Sequence, residues 1–185
     1  MPYRIVSGWL KPVRRVPSLN YDERPRDYAV DMIVIHGISL PPGEFGGPWI
    51  DALFTNSLEP HAHPYFSEIC RLRVSSHVLI RRDGEVVQYV PFEARAWHAG
   101  QSCFAGRERC NDFSIGIELE GCDDRPYEDA QYRVLAVITK ILLEAFPAIT
   151  PERIVGHSDI APGRKTDPGP FFDWVKFRGL LSQAS

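Results

Sequence analysis

Met32-Ile33-Val34-Ile35 is a continuous apolar run that ends at His36, and it predicts a central strand covered on both faces. Val74 to Ile80 and Glu85 to Val90 flank Arg81-Arg82-Asp83-Gly84, where the Asp-Gly pair predicts a hairpin turn. From Phe113 to Leu119 apolar and polar residues alternate. Ile115, Ile117 and Leu119 face one way, while Ser114, Gly116, Glu118 and Glu120 face the other. Ile154-Val155-Gly156 adds a last short strand.

A different period appears between Pro126 and Phe146. Val134, Val137, Ile138, Ile141, Leu142 and Ala145 recur at three and four residues, which predicts a helix with one apolar face. Pro126 suits its first turn and Pro147 marks its end. Thr150-Pro151-Glu152 reads as a cap followed by proline at the first helical position, opening a short helix before His157. Pro48 to Asn56 and Phe171 to Leu181 are further helical segments. Strands interleaved with helices predict a mixed α/β (α+β) fold, a central mixed sheet with helices packed around it.

Composition narrows the classes. With 185 residues and no repeat or Ser/Gly linker, residues 1–185 are expected to form a single domain. The formal net charge of −3 argues against nucleic acid or an anionic membrane as partner. The N-terminal segment scatters Arg and Lys through itself without a signal-like apolar stretch, and no run has the length of a membrane span. The expected compartment is the cytoplasm. Cys70, Cys103, Cys110 and Cys122 show no paired spacing, so free thiols are expected rather than disulfides or a second metal site.

The chemistry concentrates at a few positions. His36 and His157 each follow an apolar strand, and Asp167 lies ten residues beyond His157 in a proline- and glycine-rich loop stiff enough to fix it. Hydrolytic zinc commonly takes three protein ligands from His and carboxylate and leaves a fourth position to water, a requirement these three residues meet. No HExxH helix is present. Glu118 reads either as a general base reaching into a cleft or as a solvent-facing glutamate, and Glu120 as solvent-facing. Lys165, two residues before Asp167, would bring an ammonium near the metal to steady an oxyanion, or else lie in solvent. His77 reads as packed or as supporting a ligand; His61, His63 and His98 read as structural, with His63 and His98 near a pocket. Neither a GxSxG elbow nor a phosphate-cradling loop occurs.

The segments IVIHGISLPPGEFGGPWIDALF, RVSSHVLIRRDGEVVQYVPF, RAWHAG, GRERCNDFSIGIELEG and GRKTDPGP closely resemble one family, the cytoplasmic 1,6-anhydro-N-acetylmuramyl-L-alanine amidases (AmpD) of Gram-negative bacteria. The resemblance runs from about Gly8 to Trp174. It implies the fold shared by N-acetylmuramoyl-L-alanine amidases and peptidoglycan-recognition proteins. It implies one zinc ion on His36, His157 and Asp167, Glu118 as proton acceptor, and Lys165 stabilising the transition state. The implied reaction cleaves the amide between the lactyl group of anhydro-N-acetylmuramic acid and L-alanine in small muropeptides. Cell-wall recycling, and through it a quiet inducible β-lactamase gene, would depend on that step. Arg73 and Arg109 resemble positions that meet peptide carboxylates, and Trp97 and Tyr65 are candidates to stack on substrate. The chain is expected to act as a monomer. Two departures stand out: Gly37 where members often carry Asn, suggesting a lost substrate hydrogen bond, and Gly163 where others carry a bulkier residue, suggesting a looser loop. The rival readings are a non-catalytic muropeptide-binding sensor, which would lack the ligands, and an amidase of intact peptidoglycan, which would carry an export signal or wall-binding repeats.

Overall fold

In the computed structural model, which describes residues 3–183, the apolar run that begins at Met32 lies inside a sheet covered on both faces. Six strands build this sheet: β1 (Arg14–Arg15), β2 (Met32–Ile38), β3 (Val78–Ile80), β4 (Val86–Gln88), β5 (Ser114–Glu120) and β6 (Ile154–Gly156). Their spatial order is β6-β2-β5-β3-β4-β1. The four strands from β6 to β3 run parallel, β4 runs antiparallel to β3, and β1 runs parallel to β4. Parallel strands are covered on both faces, so Met32, Ile33, Val34 and Ile35 are all fully buried. β2 does not stop before His36, as the apolar run alone suggests. Its pairing with β5 continues through His36 opposite Glu118 to Ile38 opposite Glu120, so the backbone stays satisfied for three residues more.

The hairpin forms where Asp-Gly predicts it. Gly84 takes φ +90°, and the Gly84 and Arg81 amides donate to Arg81 and Glu85 carbonyls, both at 2.9 Å. The strands are shorter than the apolar runs. Near the start of the first run the Ser75 amide leaves the ladder and donates to the Trp97 carbonyl at 3.1 Å.

Among the described residues, five α-helices cover the sheet: α1 (Trp49–Phe54), α2 (Phe66–Ile69), α3 (Asp129–Ala145), α4 (His157–Ile160) and α5 (Trp174–Ser182). α3 begins three residues later than Pro126 because Glu128 caps it, its amide donating to Gln131 Oε1 at 3.0 Å. The buried face is also rotated from the expected one. Tyr132, Leu135, Ile138 and Leu142 are buried, whereas Val134 and Val137 are half-buried and Ala145 is exposed. Gln131 explains the offset: its buried amide donates to the carbonyls of Ile80 (3.1 Å) and Glu120 (3.0 Å), tying the helix start to the ends of β3 and β5. Thr150-Pro151 opens a 3₁₀ turn (Pro151–Arg153) rather than an α-helix, and β6 follows directly.

The two faces of the sheet have different work. Ile33 and Ile35 of β2, with Ile115, Ile117 and Leu119 of β5, pack under α3 and α5 against Leu135, Leu142, Phe172 and Phe177. Met32, Val34 and His36, with Ser114, Gly116, Glu118 and Glu120, look the other way. No helix among the described residues is long and apolar enough to cross a membrane. The four cysteines are free, as expected.

Glu120 corrects the reading of it as solvent-facing. It is 2% exposed, receives the Arg81 guanidinium at 3.1 Å, and accepts the Gly46 amide at 2.7 Å. Alternation along a strand says which side a residue takes, and here that side is covered by the loop before α1. Truncation therefore strips a partner from a buried cation. We expect Glu120→Ala to destabilise the fold by about 3 kcal/mol in urea unfolding; a loss within about 0.5 kcal/mol would be the behaviour of a solvated surface glutamate.

Candidate metal centre

β6 and β2 lie side by side and parallel, with Gly156 opposite Ile35. The next residues out of that register are His157 and His36, so two imidazoles emerge together near the C-terminal ends of adjacent strands, where parallel sheets place ligand sites. His157 begins α4 immediately after β6. The loop that returns with Asp167 packs directly on this corner. A Cβ at Gly156 would lie 2.8 Å from Pro168 Cδ, and the Ser158 amide donates to the Asp167 carbonyl at 2.9 Å.

The result is a triangle of donor atoms. His36 Nδ1 and His157 Nδ1 are 3.0 Å apart, and each is 3.1 Å from Asp167 Oδ2. A tetrahedral ion with bonds of about 2.0–2.2 Å spaces its ligand atoms about 3.3 Å apart, so the triangle has the dimensions of a metal site. It is the cluster of three metal-ligating groups found among the described residues. The far nitrogens are engaged as well. His157 Nε2 lies 3.1 Å from the Ala99 carbonyl, and His36 Nε2 lies 2.9 Å from His98 Nδ1.

Burial and close neighbours displace the proton affinities of His36, Asp167 and Glu118. Burial pushes His36 down to about 4, which keeps its ring neutral and able to donate a lone pair at neutral pH. For Asp167 burial acts upward, but the neighbouring His157 and His36 rings, 3.1 Å from Oδ2, outweigh it and hold the carboxyl below its ordinary value. Glu118 is displaced in the opposite direction. Only 7% exposed, it is raised well above the usual carboxylate range by burial and next by the Asp167 charge, with Lys165 pulling weakly the other way. Two carboxyls in one cleft are thus split, one held as an anion and one prepared to carry a proton.

An open cleft of about 390 Å³ joins these groups: His36, Glu118, His157, Lys165 and Asp167 all line it, with Tyr65 and Trp97 on its wall. Lys165 is exposed at the rim. Trp97 is steadied by Nε1 donating to Asp22 at 3.2 Å. Arg73 and Arg109 are not brought to this cleft. Arg73 is exposed, and Arg109 pairs with Asp112 at 3.3 Å and lines a neighbouring hollow with Arg164. His63 accepts the Tyr65 amide at 3.1 Å within its turn. A larger concavity, about 610 Å³, lies on Arg14, Asp51, Arg81, Glu85 and Glu120. Those charges are already paired with one another, so it offers no free chemistry.

Two residues gain a part that the sequence did not assign. His98 is buried against His36, and Tyr127 donates its hydroxyl to the Pro168 carbonyl at 2.8 Å, beside Asp167. Gly37 belongs to that second contact, because a Cβ there would meet the Tyr127 hydroxyl at 2.2 Å. The missing Asn side chain is therefore the space the phenol occupies. Gly163 sits at φ +77° in a turn braced by the Arg164 and Lys165 amides on the Ala161 carbonyl at 3.1 and 3.0 Å, so it suits the loop's tight turn.

An open cleft that joins two imidazoles and a carboxylate to a second carboxyl of raised proton affinity is the equipment of a metal-assisted hydrolase. The sequence places the chain within that class. It belongs to the N-acetylmuramoyl-L-alanine amidase family, whose sequence profile matches residues 26–170. It is 64% identical to the 1,6-anhydro-N-acetylmuramyl-L-alanine amidase AmpD of Escherichia coli (strain K12), over 95% of this chain and 96% of that protein. A crystal structure of a selenomethionine AmpD derivative superposes with a TM-score of 0.94 at 63% identity, covering 96% of this chain and 99% of the other. The E. coli amidase AmiD in complex with the substrate anhydro-N-acetylmuramic acid-L-Ala-D-γ-Glu-L-Lys is 30% identical with a TM-score of 0.62, covering 97% of this chain and 65% of that one.

The histidine beneath the site supplies a pH test. His77 accepts the Gly116 amide on Nδ1 at 3.0 Å and faces the Ala94 carbonyl with Nε2 at 3.1 Å. Burial, then the nearby Arg24 cation, push it down to about 3. The unfolded chain, with a His near 6.5, binds the extra proton first, so stability contributed by this residue is lost as pH falls below 6.5. Asn at 77 keeps an acceptor for Gly116 and removes the titration. Lowering pH from 7 to 5 should cost the wild type about 2 kcal/mol more than His77→Asn in urea unfolding of the metal-free protein; parallel pH profiles would contradict this.

Proposed function

We propose that the chain is a single-domain, cytoplasmic zinc amidase that hydrolyses the amide joining the lactyl group of 1,6-anhydro-N-acetylmuramic acid to L-alanine in muropeptides released during cell-wall recycling. The observation that carries the reading is the triangle of His36, His157 and Asp167 donors set beside buried Glu118 in an open cleft. The substrate class follows from the AmpD relatives. Two nitrogens and one carboxylate oxygen are a donor set suited to zinc, and with neutral imidazoles they leave a site of net positive charge. A zinc ion bound there supplies Lewis acidity, acidifying a water and polarising the scissile carbonyl.

The chain's own residues supply the remainder. Glu118 stands opposite His36 in register, so its carboxyl shares the sheet face from which that imidazole projects. It takes the proton of the attacking water and returns it to the alanine nitrogen as the bond breaks. Its raised proton affinity fits a group that must hold this proton between the two events. Lys165 at the rim opposes the negative charge that develops on the carbonyl oxygen. Trp97 and Tyr65 offer aromatic faces to the sugar or stem peptide. Arg73 and Arg109 meet the peptide carboxylates beyond the cleft, Arg109 exchanging Asp112 for substrate.

Glu118→Ala should lower kcat on anhydro-muramyl tripeptide roughly 10²–10⁴-fold with about one zinc per chain retained by elemental analysis. Near-normal turnover by that variant would remove Glu118 from the chemistry. Lys165→Ala should lower kcat roughly 10²–10³-fold. Mass spectrometry of products from anhydro-muropeptides and from intact sacculi decides the substrate: release of the peptide from the former is expected, and strong sacculus degradation with little muropeptide cleavage would contradict the assignment.

A further inference from the structure

To hold a metal ion between them, the three donor atoms, 3.0–3.1 Å apart, need each ring to present a bare nitrogen to the centre, and the chain must decide which nitrogen that is. For His157 a backbone carbonyl decides. Ala99 O, which also accepts from Arg164 Nη2 at 2.6 Å, can only accept and at 3.1 Å lies nearer His157 Nε2 than that guanidinium does at 3.4 Å, so His157 carries its proton on Nε2 and turns Nδ1 inward as a lone pair. For His36 the partner is another histidine, and the decision comes from further away.

Cys110 O is a carbonyl and accepts from Ser114 Oγ at 2.6 Å, so the serine proton is committed to it. Ser114 Oγ is then free only to accept, and the atom facing it at 3.2 Å is His98 Nε2. His98 therefore carries its proton on Nε2 and leaves Nδ1 bare. His36 Nε2 lies 2.9 Å from that bare nitrogen and so must donate to it, which leaves His36 Nδ1 unprotonated and aimed at His157 and Asp167. One carbonyl, through a hydroxyl and a buried imidazole, fixes the tautomer of a ring three hydrogen bonds away.

The seat of His98 is built for this. Its ring lies flat over Gly116, where a Cβ would come within 2.5 Å of Cγ. The amides of His98 and Ala99 both donate to Asn111 Oδ1, at 3.1 and 2.8 Å. Ring centroids of His98 and His36 are 5.0 Å apart at an interplanar angle of 86°, the edge approach a ring-to-ring N–H···N bond needs. Burial first, with the Arg24 cation nearby, pushes His98 well below the ordinary imidazole value, consistent with one acceptor and one donor nitrogen. The same two residues thus orient both imidazoles, His98 with its side chain and Ala99 with its carbonyl.

We propose that His98 is a positioning residue, which by accepting from His36 Nε2 and donating to Ser114 fixes His36 in the tautomer that presents Nδ1 to the metal. This rests on the metal-site reading above, and deepens it. Partners of this kind, when removed, commonly cost roughly 10–100-fold in metal affinity.

Long-range ¹H–¹⁵N correlation spectra of metal-free, histidine-labelled protein read the tautomers directly, whether or not zinc binds. The expected spectrum has His36 and His98 both protonated on Nε2, and a predominant Nδ1–H form of His36 would overturn the proposal. Zinc affinity is then measured by chelator competition. His98→Asn places Oδ1 where Nδ1 stood and should keep the wild-type dissociation constant within a few-fold. His98→Leu, and Gly116→Ala by displacing the ring, should weaken it roughly 10–100-fold. Leu and Asn variants that bind zinc equally would overturn the proposal. Should His98→Leu not fold, the wild-type tautomers and the Asn variant still decide. A wild type that shows the expected tautomers and yet takes up no zinc would sink the metal reading instead.

Discussion

Everything in this cleft depends on one electrostatic constraint: three groups able to donate an electron pair, two imidazole nitrogens and one carboxylate oxygen, meet within 3.1 Å of each other. Lone pairs at that separation repel unless a cation sits among them. Burial of His36 opposes a proton as that cation, and the carbonyl opposite the far nitrogen of His157 turns its bare nitrogen toward the same centre. A metal ion satisfies all three at once, and the surrounding structure can be understood as what holds the donors in place until it does.

The sheet provides most of that support. Parallel register puts His36 beside His157 on one side and beside Glu118 on the other, so three chemical groups derive their spacing from backbone hydrogen bonds. The remaining ligand comes from a loop, and the loop is tied to the same corner by the Ser158 amide and the Tyr127 hydroxyl. Small residues make these approaches possible. Gly37 leaves room for Tyr127, Gly116 for His98, and Gly156 for Pro168. The two cleft carboxyls then diverge by environment: Asp167, beside the two imidazoles, is held below the ordinary carboxylate range, while Glu118 is raised by burial and a like charge. In the proposed mechanism that difference separates a ligand from a proton carrier.

Much of this was legible in the sequence because period and breakers report backbone state directly. The buried strand before His36, the Asp-Gly hairpin, the long helix and the stiff Asp167 loop all follow from local pattern. What was hidden depended on partners distant in the chain. Alternation along β5 gave Glu120 a side but could not say that Arg81 and the Gly46 amide would cover it. The apolar face of α3 was rotated because Gln131 satisfies the carbonyls of Ile80 and Glu120, a polar demand that periodicity does not see. His98 read as structural, near a pocket. The one local hint of its place was the pair of small residues, Ser114 and Gly116, on the face that carries Glu118. Tyr127 gave no signal at all, since its role exists only once Gly37 and Pro168 are neighbours.

Family membership and the site converge on metal-assisted amide hydrolysis, with zinc as the proposed ion. The most direct test is anomalous diffraction from crystals of protein purified without added metal, with data on either side of the zinc absorption edge. A single strong peak is expected, bonded to His36 Nδ1, His157 Nδ1 and Asp167 Oδ2 at about 2.0–2.2 Å, with the fourth position open to the cleft. A peak held by other residues, or none at that triangle in protein that hydrolyses the amide, would contradict the proposed zinc site.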